Sequence, residues 1–382
     1  MGTAAEAGAM RAATALLAAT ILVAGVGAGV GGAAPAAANP SIPGSSTGPG
    51  GSIWIPNYGA DTVLEVDAAT MTQKREVRVG AEDHPMVAKA SYDGSKIFVG
   101  NFGPIEMSVT VIDAATGRII KKLPTLLAAY ATITMSRDGR RLYVPTAASV
   151  VQVFDTQTLE LVRTVPIWLP PGIAHIEVSN DEKYIYAYAA MGTATRYDAQ
   201  TGAVAGAPLL LGGLVPGWGA SSADGGTQYA INFYSNVAII DSASWTVRAT
   251  VPIEPFAAGP ISATLSPDGR ELWVCNYSTN DIRILDAQTG KEKRRMSTPG
   301  AAVYVGFSRD GNTGYISVVE DGPPLPFWAP TVWDWQYKAK HQAWSAKYLG
   351  LNTRLVKIDT RTLETRGEFT VKGAFVAGAY PD

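Results

Sequence analysis

The chain has 382 residues, with 31 Lys and Arg against 33 Asp and Glu and a formal net charge of −2. This balance excludes a basic surface large enough to make nucleic acid the main partner. A single cysteine excludes an intrachain disulfide framework and a multi-cysteine zinc site. Charged residues make up 17% and hydrophobic residues 47%, so the composition predicts a globular chain with a large core.

The N-terminal region has the pattern of an export signal. Met10-Arg11 precedes an apolar run from Ala12 to Val30, and the small residues 36–38 follow. We predict a signal peptide at residues 1–38 and a flexible leader at 39–51. A retained membrane anchor is the alternative, but Gly and Ala dilute the end of the run. The predicted location is secreted, periplasmic or at the cell envelope, with no membrane span after cleavage.

Two short motifs recur in one phase along the rest of the chain. A D-x-x-[ST] element occurs seven times, at spacings of 46, 42, 43, 43, 45 and 73 residues. Its copies begin at Asp67, Asp113, Asp155, Asp198, Asp241, Asp286 and Asp359. An S-x-D-G element or a near variant interleaves with it, beginning at Ser91, Ser136, Ser179, Ser222, Ser266 and Ser308. Each unit divides into four short runs rich in Val, Ile, Tyr and Trp, which is typical of a β-propeller blade.

These repeats predict an all-β fold over residues 52–382: a seven-bladed β-propeller with four-stranded antiparallel blades. The chain begins in a second strand, Ile53–Asn57, and ends in an innermost strand, Ala374–Tyr380. The C-terminal strand should therefore complete the first blade and close the ring, which also removes the exposed sheet edges. Both motifs are predicted to be structural. The Asp accepts hydrogen bonds within its turn, and the Gly supplies a positive φ.

The second strands carry a family resemblance. Ile53-Trp54-Ile55-Pro56-Asn57, Ile97-Phe98-Val99-Gly100-Asn101, Leu142-Tyr143-Val144-Pro145-Thr146 and Leu272-Trp273-Val274-Cys275-Asn276 resemble the Tyr-Val-Thr-Asn strand of the YVTN β-propeller repeat family. The resemblance covers residues 53–382 and implies a secreted bacterial propeller of the surface-layer type, with a quinoprotein amine dehydrogenase-like fold. Members of this family bind ligands, coat surfaces or catalyse reactions, so the fold alone does not determine the function.

The innermost strands carry matched polar and aromatic residues. Asp382, in Tyr380-Pro381-Asp382, is counted as the Asp of a seventh copy that is cut short. Six positions before each of the seven Asp residues lie Val87, Thr132, His175, Trp218, Ser262, Tyr304 and Val376; four positions before lie Lys89, Thr134, Glu177, Ala220, Thr264, Gly306 and Gly378. Side chains two apart on a strand share a face, so both sets should border the central channel. His175, Glu177, Lys89 and Tyr304 are the catalytic candidates, with His175 and Glu177 as an acid–base pair. A water-filled channel with incidental polar lining is the alternative.

The 73-residue spacing marks an insertion at about residues 322–350. It contains four of the nine Trp, namely Trp328, Trp333, Trp335 and Trp344. Because it interrupts a second-to-third-strand loop, it should lie at the channel mouth. With Trp218, Tyr304, His175 and His84, these Trp residues form the predicted ligand-binding set. An aromatic plug that packs on the propeller is the alternative.

No metal or cofactor is predicted. His84, His175 and His341 fall on one predicted face, with Glu320 and Asp321 near, but no close His spacing supports a metal site. Cys275 lies in an apolar strand and is predicted to be an inert core residue.

We therefore expect a non-catalytic module that binds a small ligand, an envelope component or a protein at the channel mouth, as a monomer. One alternative is a propeller enzyme of lactonase or lyase type that uses His175 and Glu177. No Arg occupies the matched channel positions, which weakens the lactonase interpretation. A second alternative is the propeller subunit of an amine dehydrogenase-type complex, although haem-attachment and cysteine-linked quinone motifs are lacking. WD40 landmarks are also missing.

Overall fold

The computed structural model describes residues 47–48, 51–103, 107–129, 132–167, 173–189, 191–214, 217–233, 236–256, 258–320, 352–372 and 380–381. All of them belong to one compact unit, Ser41–Asp382. The predicted signal peptide, most of the predicted leader, the Trp-rich insertion and most of the predicted last strand lie outside the described residues.

The regular elements of the described residues are strands, arranged as the seven antiparallel sheets of a β-propeller. Blades 1 to 3 contain β2 (Ser52–Asn57), β3 (Thr62–Asp67) and β4 (Gln73–Arg78); β5 (Pro85–Ala90), β6 (Lys96–Asn101), β7 (Ser108–Asp113) and β8 (Ile119–Pro124); and β9 (Thr134–Met135), β10 (Arg141–Thr146), β11 (Val150–Asp155) and β12 (Leu161–Pro166).

Blades 4 to 7 have four strands each. They are β13 (Ile173–Val178), β14 (Tyr184–Ala189), β15 (Thr193–Asp198) and β16 (Leu209–Leu210); β17 (Ala220–Ser221), β18 (Thr227–Asn232), β19 (Asn236–Asp241) and β20 (Thr246–Pro252); β21 (Pro260–Leu265), β22 (Glu271–Asn276), β23 (Asp281–Asp286) and β24 (Glu292–Ser297); and β25 (Ala301–Phe307), β26 (Thr313–Val319), β27 (Asn352–Asp359) and β28 (Thr365–Lys372).

The two ends of the described chain meet at blade 1. β1 (Thr47–Gly48) pairs in parallel with β29 (Tyr380–Pro381), and Cα atoms of β29 lie within 8 Å of β2. Among the described residues blade 1 has three strands, and β2 is the one that faces the channel side. This arrangement agrees with a C-terminal strand that completes blade 1.

Burial falls from the centre of the ring to its rim. The second strand β2 is buried at all six positions, and the other second strands are buried at every position but their first, because neighbouring blades cover both of their faces. Fourth strands such as β4 and β24 instead expose most positions and carry charged side chains. Charges on the outermost strand reduce pairing with other sheets at the exposed edge.

Both repeated motifs form the predicted turns. Asp67 Oδ1 accepts hydrogen bonds from the amide of Thr70 at 2.8 Å and from its hydroxyl at 3.0 Å, and the other six copies use the same Asp oxygen. In the S-x-D-G turns the Ser hydroxyl donates to the Asp two residues later, for example from Ser266 to Asp268 at 2.6 Å. These acids therefore stabilise hairpins, as predicted.

One S-x-D-G copy departs from the pattern. Glu182 occupies the Gly position and adopts φ +56°, a conformation that side chains other than Gly rarely take. Its carboxylate accepts a 2.5 Å hydrogen bond from the Tyr143 hydroxyl of the preceding blade. This contact between blades offsets the backbone strain.

The turn glycines provide a matched test of backbone strain against packing. Gly139 and Gly269 have φ +72° and +71°, but a Cβ at Gly139 would lie 2.6 Å from the Tyr92 ring, whereas none of the described atoms lies within 4 Å of a Cβ at Gly269. We expect Gly269→Ala to lower the free energy of unfolding by about 1 kcal/mol. Gly139→Ala should lower it by roughly 2 kcal/mol or more. Urea unfolding of both variants measures the difference; equal losses would show that the Tyr92 contact is not tight.

Candidate functional site

The predicted site residues fall into two separate groups. His84 immediately precedes β5, in the loop that leads into that innermost strand, whereas Lys89 is the fifth residue of β5. Five residues of extended chain place them about 16 Å apart. His175, Glu177 and Tyr304 also lie within innermost strands, and so belong with Lys89. Trp328, Trp333, Trp335, Trp344 and His341 lie outside the described residues.

His175 and Glu177 form the predicted pair. They alternate on β13 and share one face, and His175 Nε2 lies 3.0 Å from Glu177 Oε1. The imidazole stacks on Tyr188 of the second strand, with ring centroids 5.6 Å apart. The His175 side chain is only 7% exposed, against 19% for Glu177. Its Nδ1 is buried and has no hydrogen-bond partner within the described part of the chain.

The charge of Glu177 acts on residues of two other blades. Burial lowers the pKa of Lys89 in blade 2, and the negative charge of Glu177 opposes that shift. Burial raises the pKa of Tyr304 in blade 7 to about 12, and Glu177 adds to the rise. Lys89 and Tyr304 nevertheless keep partial exposure to solvent. Residues that lie deep in the protein and are still partly exposed to solvent line an internal channel. Lys89 of blade 2, Glu177 of blade 4 and Tyr304 of blade 7 therefore meet at the wall of the central channel.

The two matched sets of inner-strand residues differ in exposure. At the position six before the Asp, Val87, His175, Trp218 and Ser262 are buried, because the following blade covers them. Ser262, for example, donates from Oγ to the carbonyl of Val303 in blade 7 at 2.7 Å. At the position four before the Asp, exposure is partial at Lys89, Glu177, Ala220 and Thr264, whereas Thr134 and Gly306 are buried. The second set therefore lines the channel more openly than the first.

Trp218 lies where the inner strands of blades 5, 6 and 7 come together. Its backbone amide donates to the carbonyl of Ile261 at 2.8 Å, and its ring meets Tyr304 edge-on at a centroid distance of 6.4 Å. Gly217 permits this approach, since a Cβ there would lie 2.1 Å from the Ile261 carbonyl oxygen. The Trp218 residue is 3% exposed, so ligand contact with the indole would require these strands to separate.

His84 belongs to a polar corner between two loops of blade 1. Its Nδ1 lies 3.1 Å from Asp61 Oδ1, its Nε2 lies 3.1 Å from Glu82 Oε2, and its ring stacks on Tyr58 at 4.5 Å. Asp61, Glu82 and His84 all have positive φ. Burial and then the two carboxylates raise the pKa of Tyr58 to about 12. Both imidazole nitrogens are thus engaged, and the corner holds the loops together.

The described residues contain no cluster of three His, Cys, Asp or Glu side chains arranged to hold a metal ion. Glu320 accepts hydrogen bonds from the backbone amide and the side chain of Asn352. Asp321 lies outside the described residues. Cys275 is buried, and burial raises the pKa of its thiol to about 12, which confirms an inert core cysteine.

Three residues near the channel escaped the sequence analysis. Tyr188 is paired with His175 across β13 and β14, a register that becomes visible only once the strands are aligned. Arg137 follows Ser136 in an S-x-D-G turn, and its guanidinium donates to the Ala223 carbonyl two blades away. Tyr92 occupies the same turn position in blade 2, and the charges of both Arg137 and Glu177 influence its pKa. The sequence analysis selected channel residues within the innermost strands only. It therefore omitted residues of the S-x-D-G turns, which lie at the end of the channel.

Comparison with known proteins leaves the family open. No protein-family model matches the chain, so the YVTN resemblance stays a prediction. Among curated proteins, Protein NirF of Stutzerimonas stutzeri is 27% identical over 97 residues, which is 25% of this chain and 24% of NirF. The chain therefore matches about a quarter of the length of that relative.

Solved structures show the fold. Hydrazine synthase of Kuenenia stuttgartiensis superposes with a TM-score of 0.62 and 21% identity, over 75% of this chain and 96% of that one. A functionally unknown protein from Desulfotomaculum acetoxidans superposes with a TM-score of 0.67 and 12% identity, over 87% of this chain and 99% of that one. Dihydro-heme d1 dehydrogenase NirN in complex with DHE superposes with a TM-score of 0.56 and 16% identity, over 88% of this chain and 76% of that one. The chain is a seven-bladed β-propeller similar to these proteins.

Lys89 generates a prediction about stability and pH. Because its pKa is lowered in the folded chain, the lysine costs stability at every pH below the ordinary value of 10.5 for the unfolded chain. Lys89→Met should raise the melting temperature at pH 7 by roughly 2–4 °C. The gain should shrink as the pH rises toward 10.5. Calorimetry between pH 7 and 10.5 tests this, and a gain independent of pH would contradict it.

Proposed function

We propose that the chain is a non-catalytic, ligand-binding propeller of the cell envelope, and that it binds a small anionic ligand in its central channel. The site consists of Lys89, Glu177, His175 and Tyr304. The observation that carries the proposal is that the Nζ of Lys89 lacks an ion-pair or hydrogen-bond partner among the described residues.

The Nζ of Lys89 has no bonded counterion among the described residues. Among the described residues no carboxylate forms an ion pair with its Nζ within 4 Å, and no hydrogen bond from Nζ is found. The nearest charge that acts on it, Glu177, is already bonded to His175. An anionic group of a ligand would supply the missing partner, and the interaction would be strong because the site is largely removed from water.

The exposure pattern favours binding over acid–base catalysis. Lys89 and Glu177 face the channel, whereas the His175 ring is nearly covered by Tyr188 and by the backbone near Gly219. A general base must come within hydrogen-bond reach of the substrate proton. His175 instead orients Glu177 from behind. The enzymatic alternatives retain the same residues, but they require the His175 ring to become accessible.

The name of NirN raises the question of a haem-type group, and the described histidines do not fit one. An axial ligand needs an accessible ring nitrogen. His175 uses Nε2 on Glu177 and is 7% exposed, and both nitrogens of His84 contact carboxylates. We therefore derive no role for such a group from these residues.

The proposal is tested with simple anions. Acetate, succinate and inorganic phosphate are each added to the wild-type chain, and melting is recorded. An anion at 100 times its dissociation constant stabilises by roughly 2.7 kcal/mol, which raises the melting temperature by about 2 °C or more. Lys89→Met should abolish the shift. The matched control Lys291→Met, at an exposed turn, should keep it.

The pH dependence separates this site from nonspecific anion effects. Binding should weaken as the pH rises through the lowered pKa of Lys89, at a pH below the usual lysine range. The anion-induced rise in melting temperature could persist in Lys89→Met, or it could be lost in Lys291→Met as well as in Lys89→Met. Either result would show that the channel lysine does not bind the anion.

A further inference from the structure

One end of the propeller exposes an unusual share of its large apolar side chains. The loop face is defined here as the end that carries the loops leading into innermost strands and the loops joining second to third strands. In the described part of the chain, seven large apolar residues with high exposure lie outside strands. Five are on the loop face, namely Leu126, Leu127, Met191, Leu214 and Phe256; Tyr92 and Val204 are on the opposite end.

The loop before blade 3 holds its two leucines in a fixed, exposed position. Leu127 adopts φ +63°, which is costly for a residue other than Gly. The amide of Leu126 donates to the buried side chain of Gln152 at 2.7 Å, and the Thr125 hydroxyl donates to the Leu127 carbonyl at 2.8 Å. Both side chains remain about half exposed, at 52% and 48%. The chain therefore accepts backbone strain to present apolar tips to the outside.

Met191 and Leu214 belong to two loops that touch each other. The amide of Leu211 donates to the carbonyl of Gly192 at 2.9 Å. A Cβ at Gly192 would lie 1.7 Å from the Gly213 carbonyl oxygen, so the two loops meet backbone to backbone. Two apolar tips from neighbouring blades are thus held side by side. Phe256, 74% exposed, extends the arc to the loop before blade 6.

We propose that these five residues, the apolar loop surface, dock the propeller onto a lipid bilayer. Single exposed apolar residues are common and need no explanation. Here, however, the tips project from loops of four consecutive blades on a single end of the ring. A fluid bilayer can receive separate apolar tips at once, whereas a protein partner would need a matching pocket for each.

The sequence that joins β26 to β27 supports a bilayer as the occupant. It joins Glu320, after β26, to Asn352, at the start of β27, and both of these residues are at the loop-face ends of strands of blade 7, which follows blade 6. Its composition combines four Trp, two Tyr and one Phe with three Lys, at residues 327–348. Aromatic residues and lysines are enriched where proteins meet the boundary of a membrane. The acidic corner around Asp61 and Glu82 lies between blades 1 and 2 and includes none of the five residues.

Probes at single positions test the proposal on the full chain. The only cysteine, Cys275, is buried and unreactive, so a new cysteine can be labelled selectively with the environment-sensitive dye NBD. Leu126→Cys and Phe256→Cys are compared with the controls Val204→Cys and Leu161→Cys, which are similarly exposed but lie beside D-x-x-[ST] turns at the opposite end of the ring. Every variant carries the same residues 1–38, so a contribution of the apolar N-terminal run is common to all.

Vesicles of phosphatidylcholine with phosphatidylglycerol are then added. We expect the emission at positions 126 and 256 to shift to shorter wavelength and to be quenched by spin-labelled lipid, with no change at 204 and 161. In co-sedimentation, Leu126→Ser combined with Phe256→Ser should weaken vesicle partitioning by about tenfold or more. Val204→Ser combined with Leu161→Ser should leave it unchanged.

Three results would overturn the proposal. Equal responses at all four positions would show nonspecific adsorption. A wavelength shift that grows with protein concentration in the absence of lipid would assign the surface to a second copy of the chain. Short-wavelength emission at 126 and 256 without lipid at any concentration would show that another segment of the chain already covers them.

Discussion

Every blade depends on its neighbours, because a four-stranded sheet whose second and third strands are apolar on both faces cannot bury them alone. β2 shows the constraint directly: all six of its residues are buried, although blade 1 has only three strands among the described residues. The hydrophobic effect therefore acts between blades as much as within them. Closing the ring is the step that covers the last two faces, and the contact between β29 and β2 lies at that position.

This constraint also explains how the channel is lined. An inner-strand side chain that points toward the next blade is buried if the two strands approach closely, and open to the channel if they do not. Gly217 and Gly219 allow close approach, with virtual Cβ atoms 2.1 Å from the Ile261 carbonyl oxygen and 2.2 Å from the Tyr229 carbonyl oxygen. Trp218 is consequently enclosed, while Glu177, on a neighbouring blade, stays partly exposed.

The sequence predicted the fold well because the repeated turns are local. The Asp and Ser side chains bond within five residues of themselves, so their spacing alone reveals the hairpins and the number of blades. The partnership of His175 with Glu177 is local in the same sense, since both lie on one face of one strand. Residues joined across strands or blades were missed. Tyr188 stacks on His175 through strand pairing, and Arg137 reaches Ala223 across two blades. The alternation of side chains along a strand predicts which face of the sheet a residue lies on, but it does not predict which other strand or blade packs against that face.

The two ends of the ring differ in a way that follows from their turns. The S-x-D-G end is built from tight, hydrogen-bonded hairpins of nearly constant length, so its residues have little freedom to vary. The loop face is built from connections of unequal length, which the blades position but do not constrain. Positive φ at residues other than Gly occurs at both ends, for example at Leu127 and His84 on the loop face and at Leu159 and Glu182 on the opposite end. The fold thus separates a charged channel centred on Glu177 from an apolar outer surface, and each can take a different partner without disturbing the other.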